Sequence, residues 1–66
     1  MPIIHIEIAQ GRTPTELADL AGSVSRAAAD ALSVPETGIR VLVAEVDPTL
    51  WFSGGQSLAA KKQSAA

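Results

Sequence analysis

The chain has 66 residues, of which 47 % are apolar, and it contains no cysteine. The lack of cysteine excludes a disulfide framework and a thiolate metal site, and a net charge of −2 with five basic residues argues against a nucleic-acid partner, which needs a stripe of positive charge. A chain this short forms a single domain that hides only about 60 % of its unfolded surface, so we expect it to gain stability by oligomerising.

The first predicted element is a strand over residues 3–9, with the sequence IIHIEIA. Its even-numbered isoleucines alternate with His5 and Glu7, which is the period-two pattern of a strand. The pattern ends at Gln10-Gly11.

A helix is predicted next, over residues 13–32. Thr13 and Glu16 have the spacing of a capping box, and Pro14 stands at the first helical position, where its missing N–H costs nothing. Apolar residues then recur at spacings of three and four and form one stripe of mostly small side chains, which indicates close packing on a support. Val34-Pro35 is expected to end the helix, because the residue before proline avoids helical angles.

Residues 39–46, IRVLVAEV, form a second predicted strand with apolar side chains on both faces. Strand, helix and strand in this order indicate a right-handed β-α-β unit with parallel strands. Two strands and one helix are not a finished domain. We therefore expect an α/β (α+β) unit whose second sheet face and edges are covered by identical chains.

The remaining residues contain a turn at Asp47-Pro48 and the pair Gly54-Gly55, around which a C-terminal β-hairpin is predicted. This hairpin has the length to contact a neighbouring subunit. Residues 61–66, KKQSAA, are predicted to be a frayed tail. The whole chain, 1–66, is treated as one domain.

The sequence gives no reason to expect a membrane partner. It has no apolar run of the about 18 residues that a membrane span needs, and no charged segment followed by an apolar one that would indicate a signal peptide. A cytoplasmic protein is the expectation.

Pro2 is the first candidate for chemistry. If Met1 is removed, Pro2 becomes an N-terminal secondary amine, and burial or a nearby cation favours the neutral form that serves as a base. With Met1 in place, the Pro2 nitrogen is an amide and is not basic. Taken alone, Pro2 is read more simply as a tolerated residue ahead of a strand.

Arg12 and Arg40 form the second candidate feature, because guanidinium groups bind carboxylates bidentately and two of them indicate a small carboxylic-acid substrate. They follow the first strand and begin the second, so in a parallel pair they lie at opposite ends of the sheet and are expected to converge only between chains. The simpler alternative is a pair of surface arginines that form salt bridges with Glu36 or Glu45.

Trp51 is the third candidate, as the wall of a dry pocket or as an interface anchor. His5 lies among isoleucines and is interpreted as structural, and neither Glu7 nor Glu45 is marked as a general acid. The sequence contains no metal-ligand cluster, phosphate loop, Ser/His/Asp set or Cys/His set.

The joint order of these features resembles the 4-oxalocrotonate tautomerase family of the tautomerase superfamily. It comprises Pro2 behind a start Met, an Ile-x-Ile-x-x-Gly-Arg run ending at Arg12, one capped helix, IRV at 39–41, and an aromatic residue before Gly54-Gly55. The resemblance covers roughly residues 2–60. It implies a β-α-β fold with a C-terminal hairpin, and a hexamer built as a trimer of dimers in which each dimer has a four-stranded sheet.

The resemblance also implies an activity that needs no cofactor and no metal. After loss of Met1, Pro2 would move a proton within a 2-hydroxydienoate or enol carboxylic acid, as in 2-hydroxymuconate. Arg12 would hold the distal carboxylate, and Arg40 of a neighbouring subunit would engage the oxygen and carboxylate near the reacting end. Trp51 stands where the family commonly has phenylalanine, which would reshape the pocket.

Two alternatives remain at this stage. Hydrolytic dehalogenases of the same scaffold add an arginine and a water-activating glutamate, where this chain has Ala9 and Ser53. The other alternative is a non-catalytic or silent subunit of such an oligomer, which a retained Met1 would favour.

Overall fold

The computed structural model of the chain describes residues 2–65, with the side chains of residues 2–61. Its main elements are β1 Ile3–Ala9, α1 Pro14–Leu32, β2 Arg40–Val46, β3 Phe52–Ser53, β4 Gln56–Ser57 and α2 Leu58–Ala65. Short 3-10 turns occupy Glu36–Gly38 and Pro48–Leu50. The predicted order of strand, helix, strand and hairpin is confirmed. Among the described residues, no helix combines the length and apolar character needed to cross a bilayer.

β1 and β2 pair in parallel along their whole length, with Ile3 opposite Arg40 and Ala9 opposite Val46. Residues opposite each other in neighbouring strands point to the same face, so the even-numbered isoleucines share one face with Val41 and Val43. These side chains are half-buried, and α1 lies against β2. The helix therefore covers this face of the sheet.

The other face of the sheet is open. Ile3 and Leu42 lie on it, and 60 % and 54 % of their surfaces are exposed. Among residues 2–65, the sheet consists of these two strands, so each strand also keeps one edge without a backbone partner. Within the described part of the chain, Ala29 and Ile39 are the buried apolar residues. So small a core agrees with the expectation that identical chains cover the open face and the edges.

The capping box predicted at the start of α1 is present. The Glu16 N–H donates to Thr13 Oγ1 at 3.1 Å, and the Thr13 N–H donates to Glu16 Oε1 at 3.0 Å. The helix ends at Leu32, as predicted, and Ser33 is its C-cap, with a left-handed φ of 55° and an N–H that donates to the carbonyl of Ala29. The caps thus provide hydrogen-bond partners for backbone N–H and C=O groups that would be unpaired at an uncapped helix end.

The predicted hairpin is confirmed as the antiparallel pair β3–β4. Gly54 and Gly55 connect its strands with φ values of 61° and 80°, which suits a tight turn whose central residues both need positive φ. A two-residue strand on each side gives the hairpin little stability of its own. Its attachment to the rest of the chain therefore depends on the segments on either side of it.

The backbone of the segment predicted as a frayed tail continues helix α2 as far as Ala65, while Ala66 lies outside the described residues. The Ala60 N–H donates to the Ser57 hydroxyl at 3.1 Å, as at the N-terminus of a capped helix. The Leu58 N–H donates to the Trp51 carbonyl at 2.8 Å. These bonds attach the start of α2 to the hairpin.

Candidate active site

Pro2 precedes β1 and is half-buried. Its carbonyl accepts a hydrogen bond from the Arg40 N–H at 3.2 Å, which continues the ladder between β1 and β2 by one residue. Pro2 and Arg40 therefore lie side by side at the same end of the sheet. Met1, whose removal would turn the Pro2 nitrogen into an amine, lies outside the described residues.

The Arg40 side chain is held by the turn that precedes β2. Its Nη1 donates to the carbonyl of Thr37 at 2.9 Å, and the residue is exposed. Among the described residues, the salt bridges with Glu36 or Glu45 that the sequence allowed do not form. Because the Thr37 carbonyl is neutral, the full positive charge of Arg40 stays available to a ligand.

Arg12 lies beyond the other end of β1, after Gly11, whose φ of 130° few other residues adopt. Its Nη1 stands 3.5 Å from Glu16 Oε2. The same carboxylate accepts the Thr13 N–H, and this hydrogen bond is the main reason that the pKa of Glu16 lies below its ordinary value. Arg12 is thus paired with a carboxylate that is ionised near neutral pH.

Arg12 also borders a hollow of about 400 Å³ on the side of α1. This Arg12 hollow is lined by one guanidinium, two carboxylates and three aliphatic side chains, namely those of Arg12, Glu16, Asp19, Ile8, Leu17 and Leu20. Arg12 was a candidate from the sequence, whereas its acidic neighbours were not. The four-residue spacing of Arg12 and Glu16 is a weak signal of their contact, because Arg12 precedes the helix.

Arg12 and the pair of Pro2 and Arg40 are far apart within one chain. Six residue steps along β1 at about 3.3 Å each separate the ends of the sheet by about 20 Å. The prediction that the two arginines lie at opposite ends is confirmed by the register of β1 and β2. A single site that uses both arginines therefore requires more than one chain.

Trp51 precedes β3, and 38 % of its surface is exposed. The β3–β4 hairpin is a sheet separate from β1–β2, so the ladder that joins Pro2 to Arg40 does not include Trp51. Its neighbours in sequence, Leu50 and Phe52, are 68 % and 59 % exposed. The three residues form an apolar surface at the hairpin that suits a contact with another chain.

His5, which we interpreted as structural, is exposed on the open face of the sheet opposite Leu42. Glu7 follows on the same face, opposite Ala44. Among the described residues, no group of three or more His, Cys, Asp or Glu side chains is arranged to hold a metal ion. The chemistry-bearing residues of the described chain are thus grouped around Pro2 with Arg40 and around Arg12.

Comparison with known proteins identifies the family. The family model named Tautomerase, described as a tautomerase enzyme, matches residues 2–61. A probable tautomerase from Ralstonia nicotianae is 35 % identical over 63 residues, which cover 96 % of this chain and 90 % of that protein. The 2-hydroxymuconate tautomerase of Stutzerimonas stutzeri is 35 % identical over 57 residues, covering 86 % of this chain and 90 % of the relative.

Solved structures of high similarity include a 4-oxalocrotonate tautomerase homologue of the tomaymycin biosynthetic pathway. It superposes with a TM-score of 0.93 at 37 % identity, covering 98 % of this chain and 100 % of the other. A heterohexameric 4-oxalocrotonate tautomerase from Chloroflexus aurantiacus matches with a TM-score of 0.85 at 41 % identity, covering 89 % and 95 %. The chain therefore belongs to the tautomerase family and has the fold of the 4-oxalocrotonate tautomerases.

Proposed function

We propose that this chain is a cofactor-independent keto-enol tautomerase for small enol carboxylic acids of the 2-hydroxydienoate type. Membership of the tautomerase family supports the class of reaction. The single observation that carries the finer proposal is the position of Pro2, which lies beside Arg40 through the 3.2 Å hydrogen bond between their backbones. Once Met1 is lost, this arrangement gives a secondary amine at the end of the sheet where Arg40 begins β2.

In the proposed reaction, the Pro2 amine is the general base. It takes the proton of the substrate's enol hydroxyl, the oxygen becomes a carbonyl, and the electron pair moves along the conjugated chain to a carbon. The Pro2 ammonium then returns the proton to that carbon, so the substrate is isomerised without loss or gain of atoms. A neighbouring cation favours the neutral amine that this cycle needs.

Arg40 supplies the fixed positive charge. Its guanidinium binds the carboxylate and oxygen at the reacting end of the substrate, where negative charge develops when the proton leaves. The arginine that matches in the family comes from a neighbouring subunit, so the Arg40 that serves a given Pro2 need not be of the same chain. Arg12 of another chain contacts the far end of the substrate, and Trp51 forms part of the pocket wall.

A homo-oligomer completes the site in this proposal, with a hexamer built as a trimer of dimers as the expected form. Two observations support association: the open apolar face of the sheet, and the separation of about 20 Å between the ends of β1. A related 4-oxalocrotonate tautomerase is a heterohexamer. In the proposed dimer, two chains join their sheets into one of four strands.

The decisive experiment compares Pro2→Ala with the unchanged chain, both as protein whose intact mass shows that Met1 is absent. We expect the variant to lose kcat/KM on 2-hydroxymuconate or phenylenolpyruvate, because the ring-held secondary amine is replaced by a primary amine that is more basic and less rigidly positioned. The loss should not exceed the roughly 10²-fold to 10⁴-fold that a positioned general base contributes. Gel filtration provides the control that the oligomer is intact. No activity in the unchanged, Met-free oligomer contradicts the proposal and favours a non-catalytic subunit.

A further inference from the structure

The two proposed substrate-binding arginines differ in the groups that surround their guanidinium groups. Arg40 donates to a neutral carbonyl, that of Thr37, at 2.9 Å. Arg12 stands 3.5 Å from the Glu16 carboxylate and shares its hollow with Asp19 as well. Among the side chains that the structure describes, one end of the proposed site therefore offers a cation with no carboxylate partner, and the other end offers one cation beside two carboxylates.

Glu16 is held in place beside Arg12. Its Oε1 accepts the Thr13 N–H at 3.0 Å while its Oε2 faces Arg12, so rotating the carboxylate away would break the capping box of α1. The hydrogen bond from Thr13 also lowers the pKa of Glu16, so the carboxylate, already ionised at neutral pH, stays charged under more acidic conditions. A ligand that approaches Arg12 thus meets a fixed negative charge.

The rest of the Arg12 hollow is aliphatic. Ile8, Leu17 and Leu20 line it, and each is half-buried. A carboxylate entering this hollow would compete with Glu16 for Arg12 and be repelled by Asp19, whereas a methyl or phenyl group would gain contact with the aliphatic side chains. The surroundings of Arg12 therefore favour an uncharged group.

We propose that this chain selects enol acids with a single carboxylate, bound at the Arg40 end, and with an uncharged far end in the Arg12 hollow. This inference rests on the proposed function, because it takes Arg12 and Arg40 as the two ends of one site. It departs from the distal carboxylate that the family resemblance implies for Arg12. Glu16 and Asp19 are then the residues that determine this specificity.

The test uses two unreactive dienoates of equal carbon number, sorbate and muconate, which differ in having a methyl or a second carboxylate at the far end. Their affinities for the Met-free oligomer are measured by calorimetry, without any turnover. We expect sorbate to bind at least as tightly as muconate. Among substrates, we expect a higher kcat/KM for phenylenolpyruvate than for 2-hydroxymuconate.

Glu16→Gln is the matched variant, because glutamine retains the capping box while removing the charge. We expect it to tighten muconate binding about five-fold and to leave sorbate unchanged, which is the effect of one unit charge at about 4 Å in water. Asp30→Asn removes a carboxylate from an exposed position of α1 outside the hollow. This control should leave both affinities unchanged.

Three results would overturn the inference. The first is that muconate binds the unchanged protein about ten-fold more tightly than sorbate and that Arg12→Ala removes the difference. The second is that Glu16→Gln weakens muconate binding, which would make Glu16 a positioning residue for Arg12. The third is that neither compound binds. The proposed function is tested separately, by comparing the activity of Pro2→Ala with that of the unchanged chain. If the unchanged chain is active and any of these three results is found, the specificity is rejected and the proposed function is not.

Discussion

At the scale of single residues, Arg40 is the side chain on which the proposed chemistry most depends. The turn at Glu36–Gly38 places the Thr37 carbonyl under its guanidinium, and the parallel ladder places its backbone against Pro2. These contacts hold the Arg40 backbone and the Nη1 atom of its side chain in place. The remaining N–H donors of the guanidinium fork can then bind a carboxylate bidentately.

Substitution of Arg40 tests this role. We expect Arg40→Ala to lower kcat/KM by roughly 10²-fold to 10³-fold, as the loss of a charge-stabilising donor does elsewhere. Arg40→Lys should recover part of the loss, because it keeps the charge but not the planar fork. Arg26→Ala is the control, since Arg26 is an exposed arginine on α1 that donates to Ser23 at 3.4 Å. Equal activities of the Arg40→Ala and Arg26→Ala variants would refute the role.

The sequence predicted where Arg12 and Arg40 lie in the sheet better than it predicted which groups their side chains contact. Arg12 and Arg40 were placed at opposite ends of the sheet from the order of elements alone, because a parallel pair fixes which termini meet. The pairing of Arg12 with Glu16 was missed because Arg12 precedes the helix. Helical spacing does not determine the direction of a side chain outside the helix. The hydrogen bond from Arg40 to the Thr37 carbonyl depends on the 3-10 turn at Glu36–Gly38. The sequence after Pro35 has no pattern that predicts this turn.

At the scale of elements, α1 depends on its N-terminal cap, which joins the site to the fold. Thr13 Oγ1 accepts the Glu16 N–H, and Glu16 in turn faces Arg12. Strand β1, helix α1 and strand β2 were all predicted from period, capping box and proline positions. Helix α2 was missed because "KKQSAA" was interpreted by its place at the terminus, although Ser57 supplies a cap and alanine and lysine favour helix.

Removal of the cap should weaken the fold measurably. We expect Thr13→Ala to lower the free energy of unfolding by about 1 kcal/mol, because the Glu16 N–H loses its acceptor. Thr15→Ala, two residues on in the exposed first turn of α1, is the matched control and should change stability little. Urea unfolding followed by circular dichroism at one protein concentration measures both. A Thr13→Ala midpoint no lower than that of Thr15→Ala would show that the cap is dispensable.

At the scale of the whole molecule, the open sheet face connects stability with the proposed activity. Leu42 is 54 % exposed there in the single chain. We expect Leu42→Lys to prevent association, because a charge in an apolar interface is costly to desolvate. Since the proposed site needs several chains, activity should be lost with the oligomer.

Sedimentation measures the oligomer, and kcat/KM measures the site. Ala27→Lys places the same charge on an exposed position of α1 and should change neither. A dissociated Leu42→Lys chain with full activity would place the whole site within one chain. An oligomer that persists in this variant would mean that the open face is not the interface.

The edges of β1 and β2, which are unpaired among the described residues, have a consequence for the chain before the proposed assembly. A newly made protomer presents two strand edges and an apolar face, which are also the surfaces that drive aggregation. The proposed assembly and misassembly would thus compete for the same surfaces. Substitutions at these edges would then lower the amount of soluble protein in a cell, and this loss would be detected before any change in the proposed catalytic rate.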